Sequence, residues 1–211
     1  MLLDIVTQSV NEFQTDCLKL CEKHYPTIHN KGMSEHHLGL AFARRLSRTL
    51  TEFGHDCDYA SIESLEHGDM PHHFRVSSGM GTVWVLTHHL VSAGKTCRDR
   101  LMRDISQWKH EYAYAIQPND LLILLTDHWI SKSQNSRELL HWWTGQLPDE
   151  IDEYNAQGIS LYESESLLTQ ALESQYQISP CYIKYGHPLK HSKNQQLVRK
   201  YIQLYAVLQW D

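Results

Sequence analysis

The hydrophobic pattern changes period several times along the 211 residues, and each change predicts an element. From Leu2 to Lys23 apolar residues recur at Leu3, Val6, Val10, Phe13, Cys17 and Leu20, the spacing of an amphipathic helix. Tyr25 to Met33, with Pro26 and Gly32, reads as a loop. The helical period returns over Ser34 to Phe53. Leu38, Phe42, Leu46 and Leu50 or Phe53 mark its buried side, Ser34 is a suitable N-cap, Glu35 lies in the first turn and Gly54 is the stop. His55 to Ser64 alternates weakly and predicts a strand through Cys57, Tyr59 and Ile62, followed by a loop from Leu65 to Pro71.

His73 to Ser78 and Thr82 to Val91 read as two strands joined by Gly79-Met80-Gly81, where glycines permit a tight turn. Gly94 leads into a helix over Cys97 to Tyr112 with Leu101, Ile105 and Trp108 inward. Leu121 to Thr126, LLILLT, is apolar almost throughout and short, as expected of a strand buried on both faces. Further on, helices are expected over Ser136 to Leu147 and Ser164 to Ser174, and short strands over Ile159 to Tyr162 and Pro180 to Tyr185. A terminal helix is expected over Ser192 to Gln209, with Leu197, Tyr201, Leu204 or Tyr205, and Leu208 as its stripe. Strands and helices alternate from Gly94 to Tyr176, which predicts a layered α/β fold with some parallel pairing. No repeat or linker interrupts the chain. The expected organisation is one α/β domain: a core of about 34–162, an N-terminal helix over 1–24 and a C-terminal helix over about 192–209.

Composition narrows the function classes. Hydrophobic residues make up 41%, enough for a sizeable core. The net charge of −6 gives no global pull toward nucleic acid, so any such contact needs a local basic patch. Two groups qualify if they converge: Arg44, Arg45 and Arg48 on one predicted helix, and Arg98, Arg100 and Arg103 with Lys95 on another. Five irregularly spaced cysteines without a C-x-x-C pair fit reduced thiols in the cytoplasm. The N-terminus lacks the basic n-region of a signal peptide, and no apolar run reaches the length of a membrane span.

Fifteen histidines raise the question of a metal. The pairs His36-His37, His72-His73 and His88-His89 are adjacent, and neighbours on a strand face opposite sides. His187 and His191 have ligand spacing only on a helix, which Gly186 and Pro188 oppose. No metal site is expected among them. Gly94-Lys95-Thr96 follows a strand and opens a helix, but a P-loop needs glycine where His89 stands. The spacings Arg103 to His110 and Arg48 to His55 resemble the ribonuclease motif of HEPN domains, which are all-helical, unlike this chain. Trp142-Trp143 on one short helix cannot both face one core, so one of the two is expected on a partner surface.

The order helix, strand, hairpin, helix, strand over roughly Ser34 to Tyr162 resembles the core of the PD-(D/E)XK, restriction-endonuclease-like superfamily. Glu35 matches the family's early helical Glu. Ser77, in Phe74-Arg75-Val76-Ser77, stands where the family places Asp on the first hairpin strand. In the second strand, Trp84 to His89, Thr87 replaces the acid and His89 the lysine of Glu-x-Lys. The resemblance implies a mixed sheet flanked by helices, with helical extensions at both ends. Neutral hydroxyls at Ser77 and Thr87 cannot replace the carboxylates of a Mg²⁺ cage. The implied role is binding or scaffolding in a nucleic-acid-handling assembly, with nucleic acid and another protein chain as partners, no membrane and no cofactor. Small divergent members occur in mobile-element and anti-phage loci. Two alternatives stay open. One is an active Mg²⁺-dependent nuclease with a rearranged site that draws on Glu35, His89 and a migrated Glu63 or Asp69. The other is a protein-interaction module without nucleic-acid contact.

Overall fold

The computed structural model describes residues 1–28, 34–62, 73–90, 92, 94–191 and 193–210. The chain runs α1 (Leu2–Ile28), α2 (Glu35–Glu52), β1 (Cys57–Ile62), β2 (His73–Ser78), β3 (Gly81–His89), α3 (Lys95–Tyr112) and β4 (Leu121–Trp129). It continues with α4 (Gln134–Thr144), α5 (Ile151–Ala156), α6 (Leu168–Tyr176), β5 (Tyr182–Gly186) and β6 (Tyr201–Gln209). The strands form one mixed sheet in the order β1-β2-β3-β4-β6-β5. Among the described residues only the β3–β4 pair is parallel, with α3 as its crossover; the other pairs are antiparallel.

Side chains alternate across a strand, and that alternation divides the protein into two cores. Phe74, Val76, Val83, Val85, Leu121, Ile123 and Leu125 pack under α1 and α2. Trp84, Leu86, Leu122, Leu124, Leu204 and Leu208 pack under α3 to α6. The central strands are therefore apolar at consecutive positions, as LLILLT predicts. Ser34 caps α2 as expected: its side chain accepts from the His37 amide at 3.3 Å. The β2–β3 hairpin also follows the sequence reading. Gly81 sits at φ +128°, where an added Cβ would lie 3.1 Å from the Asn119 carbonyl oxygen.

Several expectations need correction. Tyr201 to Gln209 is a strand, not part of a C-terminal helix. It lies between β4 and β5, and every residue from Tyr201 to Leu208 is buried, so apolar residues at helical spacing carried no information there. β5 and β6 complete a sheet that extends well past residue 162. Ile159 to Tyr162 belongs to no ladder among the described residues; Tyr162 instead bonds to the Arg137 carbonyl. α1 continues to Ile28, through a stretch expected as loop. Trp142 and Trp143 are both buried. α4 is covered by the sheet on one side and by α6 and the guanidinium of Arg98 on others, so neither tryptophan marks a partner surface.

Candidate functional site

The polar centre of the protein lies where parallel strands β3 and β4 end. Apolar alternation gives way there to Thr87, His88 and His89 on β3 and to Thr126, Asp127 and His128 on β4. His89 and Asp127 are register partners. His89 Nδ1 donates to Asp127 Oδ1 at 2.7 Å, and the Tyr201 hydroxyl donates to Asp127 Oδ2 at 2.5 Å. The first residue of α2 approaches the same point: Glu35 Oε1 accepts the His89 amide at 2.7 Å. Asp127 is fully buried, whereas His89 is 26% exposed. The hydrogen bond to Asp127 raises the His89 pKa above its ordinary value, against the opposing pull of burial, and the charges of Asp127 and Glu35 add to the rise. The site thus holds an imidazole oriented by a carboxylate, which is itself oriented by a phenol.

Thr87 lies on the same strand face as His89. Its amide donates to His73 Nδ1 at 3.1 Å, and its buried hydroxyl has no hydrogen-bond partner among the described residues. Ser77 is not part of this group. It is paired with Thr82 near the turn, with the two hydroxyls 3.1 Å apart. Thr87 lies five residues further along β3, about 17 Å away at strand rise. Ser77 also lies on the other face of the sheet from Thr87 and His89, as does His73, whose Nδ1 the Thr87 amide reaches and whose ring packs beside His88. Glu63 and Asp69 lie outside the described residues.

On the opposite face, His128 donates from Nδ1 to the Leu90 carbonyl at 2.5 Å. Its Nε2 therefore accepts the Ser136 hydroxyl at 2.6 Å, while Ser136 Oγ accepts the Ser131 amide at 2.8 Å. Burial lowers the His128 pKa, which keeps the ring neutral. Both side chains are buried, and the arrangement pins the start of α4 to the ends of β3 and β4. His88 lies 3.4 Å from Asp104 of α3.

The basic groups do not converge. α2 and α3 lie on opposite faces of the sheet, so Arg44, Arg45 and Arg48 are separated by the whole layer from Lys95, Arg98, Arg100 and Arg103. Several are also neutralised within the chain. Arg45 pairs with Asp16 at 2.5 Å and with Glu12, Arg48 pairs with Glu52 at 2.8 Å, and Arg100 approaches Asp104 at 3.8 Å. Arg98 covers Trp142 and bonds to Ser164. Arg44, Lys95 and Arg103 are exposed.

The alternative of an active nuclease needs Mg²⁺, and the described donors do not fit it. Both Asp127 oxygens are taken by His89 and Tyr201, one Glu35 oxygen is taken by an amide, and Thr87 offers a neutral hydroxyl. Among the described residues no group of three His, Cys, Asp or Glu side chains is arranged to hold a metal ion. Among the same residues no helix is long and apolar enough to cross a membrane. The partners that sequence reasoning missed are Asp127 and Tyr201. Asp127 carries a readable signal, an acid at the carboxyl end of a buried parallel strand, where α/β sheets gather their ligands. Tyr201 carries none, because its strand reads as a helix. No family model, curated protein or solved structure matches this chain.

Proposed function

We propose that this chain is a restriction-endonuclease-like protein without the metal-dependent chemistry, acting as a binding or scaffolding subunit in a nucleic-acid-handling assembly. The observation that carries the reading is the element order with its pairing. α2 is followed by three antiparallel strands, a crossover helix and a strand parallel to the third, with Glu35 of α2 meeting His89 of β3. In that frame an imidazole and a hydroxyl stand where lysine and carboxylate would be. Nucleic acid would meet the exposed cations Arg44, Lys95 and Arg103 on separate surfaces rather than in one cleft. The contact is therefore expected to be shallow and salt-sensitive, each phosphate contact adding about 0.9 to the slope of log affinity against log salt.

Gel shifts of duplex DNA and RNA at about 50 and 200 mM salt test the reading. Binding at the lower salt that weakens at the higher, and weakens further in Lys95→Ala/Arg103→Ala, supports it. Absence of binding at both sinks the nucleic-acid role. A second reading, a protein-interaction module, is favoured by one observation: Arg45, Arg48 and Arg100 face carboxylates of this same chain.

A further inference from the structure

The sheet has two edges, and they differ in what stands beside them. Along β5, Gln14 and Leu18 of α1 and Glu150 line a groove, and the strand itself carries Lys184. β1 has no strand partner on its outer side among the described residues. It pairs with β2 without interruption from Cys57 to Ile62, so no bulge turns it away. Its sequence, CDYASI, has neither proline nor lysine, and Asp58, Tyr59 and Ser61 are exposed. An open and regular edge of this kind is a template for another strand.

The ladder assigns each side chain of β1 to a face. Cys57, Tyr59 and Ser61 lie on the face covered by α2, where Arg44 Nε donates to the Tyr59 hydroxyl at 3.4 Å. Asp58, Ala60 and Ile62 lie on the other face, opposite Ser77, Arg75 and His73 of β2. Asp58 and Arg75 are exposed on that face, and neither side chain forms an ion pair among the described residues. Arg75 stands directly opposite Ala60, the smallest side chain of the edge strand.

We propose that β1 pairs antiparallel with β1 of a second copy of this chain, about a two-fold axis that passes through Tyr59. A two-fold axis joining antiparallel edges stands normal to the sheet, so residues of one face meet residues of the same face. Charge selects the centre. An axis at Asp58 would oppose two carboxylates, and an axis at Ala60 would set Asp58 against the apolar Ile62. An axis at Tyr59 sets Asp58 of each copy opposite Ala60 of the other, with Arg75 one strand further on the same face, about 10 Å away between Cα atoms. An extended arginine spans that distance over an alanine, and symmetry makes the contact twice. On the α2 face the two Tyr59 rings meet as an aromatic cross-strand pair. Of the other charges near the edge, Arg48 is matched by Glu52 of its own helix, and Arg44 of each copy is held apart by both tyrosines. The occupant follows from the same charges. A uniformly acidic or basic foreign strand would suit only one of Asp58 and Arg75, whereas a copy satisfies both. A joint of two six-residue strands is small, so the dimer is expected to form and dissociate with concentration.

The test is sedimentation of the full chain between about 5 and 500 µM, with hydrogen exchange of residues 57–62 followed over the same range. The expected result is a mass that rises from one chain toward two, with exchange of β1 slowing in step. Asp58→Arg and Arg75→Asp each bring like charges together at the joint and should weaken association at least about tenfold. Mixed in equal amounts, the two variants should associate again, because each then offers the other the opposite charge. Both side chains are exposed, and unchanged circular dichroism checks that both variants fold. A monomer at every concentration overturns the proposal. So does a dimer that forms without protection of β1, a dimer that neither variant weakens, or failure of the mixed variants to associate.

Discussion

His89 and Asp127 face one another across the parallel pair β3 and β4, with Nδ1 2.7 Å from Oδ1. The imidazole is partly open to solvent and the carboxylate is sealed. A sealed carboxylate needs both its partners, and Asp127 has them in His89 and Tyr201. Asp127→Asn removes the main cause of the raised His89 pKa. In a histidine NMR titration the His89 midpoint should then fall; an unchanged midpoint would mean that Asp127 does not set the charge of the ring. Asp127→Ala leaves the Tyr201 hydroxyl and the imidazole without their acceptor and should cost roughly 3 kcal/mol in urea unfolding.

The same pair fixes a pH dependence. His89 binds its proton more tightly in the folded chain than at the ordinary value of 6.5. Its stabilising contribution is therefore complete below about 6.5 and is lost as pH rises through the higher folded value. The stability gap between wild type and His89→Gln should narrow on the alkaline side, and a gap that widens with pH would contradict this assignment.

His187 behaves in the opposite sense. It donates from Nδ1 to the Tyr201 carbonyl at 2.8 Å and accepts the Tyr154 hydroxyl at 2.6 Å. Burial lowers its pKa from 6.5 to about 4. The unfolded chain binds this proton first, so stability falls as pH drops from about 6.5 to about 4, by roughly 3 kcal/mol at most. In His187→Gln, which can keep both hydrogen bonds, the acid limb of the stability curve should flatten.

Asp120 ties the mouth of the hairpin to the start of β4. Oδ1 accepts the Thr82 amide at 2.8 Å, and Oδ2 accepts the Trp84 indole at 3.1 Å and the Gln117 amide at 3.0 Å. Asp120→Ala leaves three donors without an acceptor in a buried place and should cost roughly 2–4 kcal/mol, read as a lowered denaturation midpoint. Asp120→Asn, which retains one acceptor oxygen, should lose less.

Gly81 combines φ of +128° with a close backbone neighbour at Asn119. Gly81→Ala should cost roughly 1–3 kcal/mol, whereas Gly79→Ala, with open space around it, should cost under about 1 kcal/mol. Equal losses at both positions would remove the argument for a backbone constraint at Gly81.

Much of the fold is legible wherever local signals agree. Ser34 caps, Gly79-Met80-Gly81 turns and LLILLT is too short and apolar for anything but a buried strand. Legibility ends at β6, where YIQLYAVL is buried on both faces and so has no period to read. Polar exceptions there, such as Gln203, turn out to be buried and bonded to neighbours, the Tyr205 hydroxyl donating to its amide oxygen Oε1 at 2.9 Å. At the site, Glu35 and His89 were readable one by one from the helix start and the hairpin. Asp127 is readable as an acid at the carboxyl end of LLILLT, but its pairing with His89 depends on the parallel register of β3 with β4, a long-range property that no local pattern encodes. Ser77 lies opposite Thr82 near the turn, away from His89, since position along a hairpin is set by the turn and the ladder together.

The most direct measurement of the central claim is cleavage of single- and double-stranded DNA and RNA with Mg²⁺ and Mn²⁺, with binding read from the same tubes. The account predicts salt-sensitive binding and no metal-dependent cleavage. Cleavage that requires either metal and disappears in Glu35→Ala or His89→Ala would contradict it and establish a working metal site on this face.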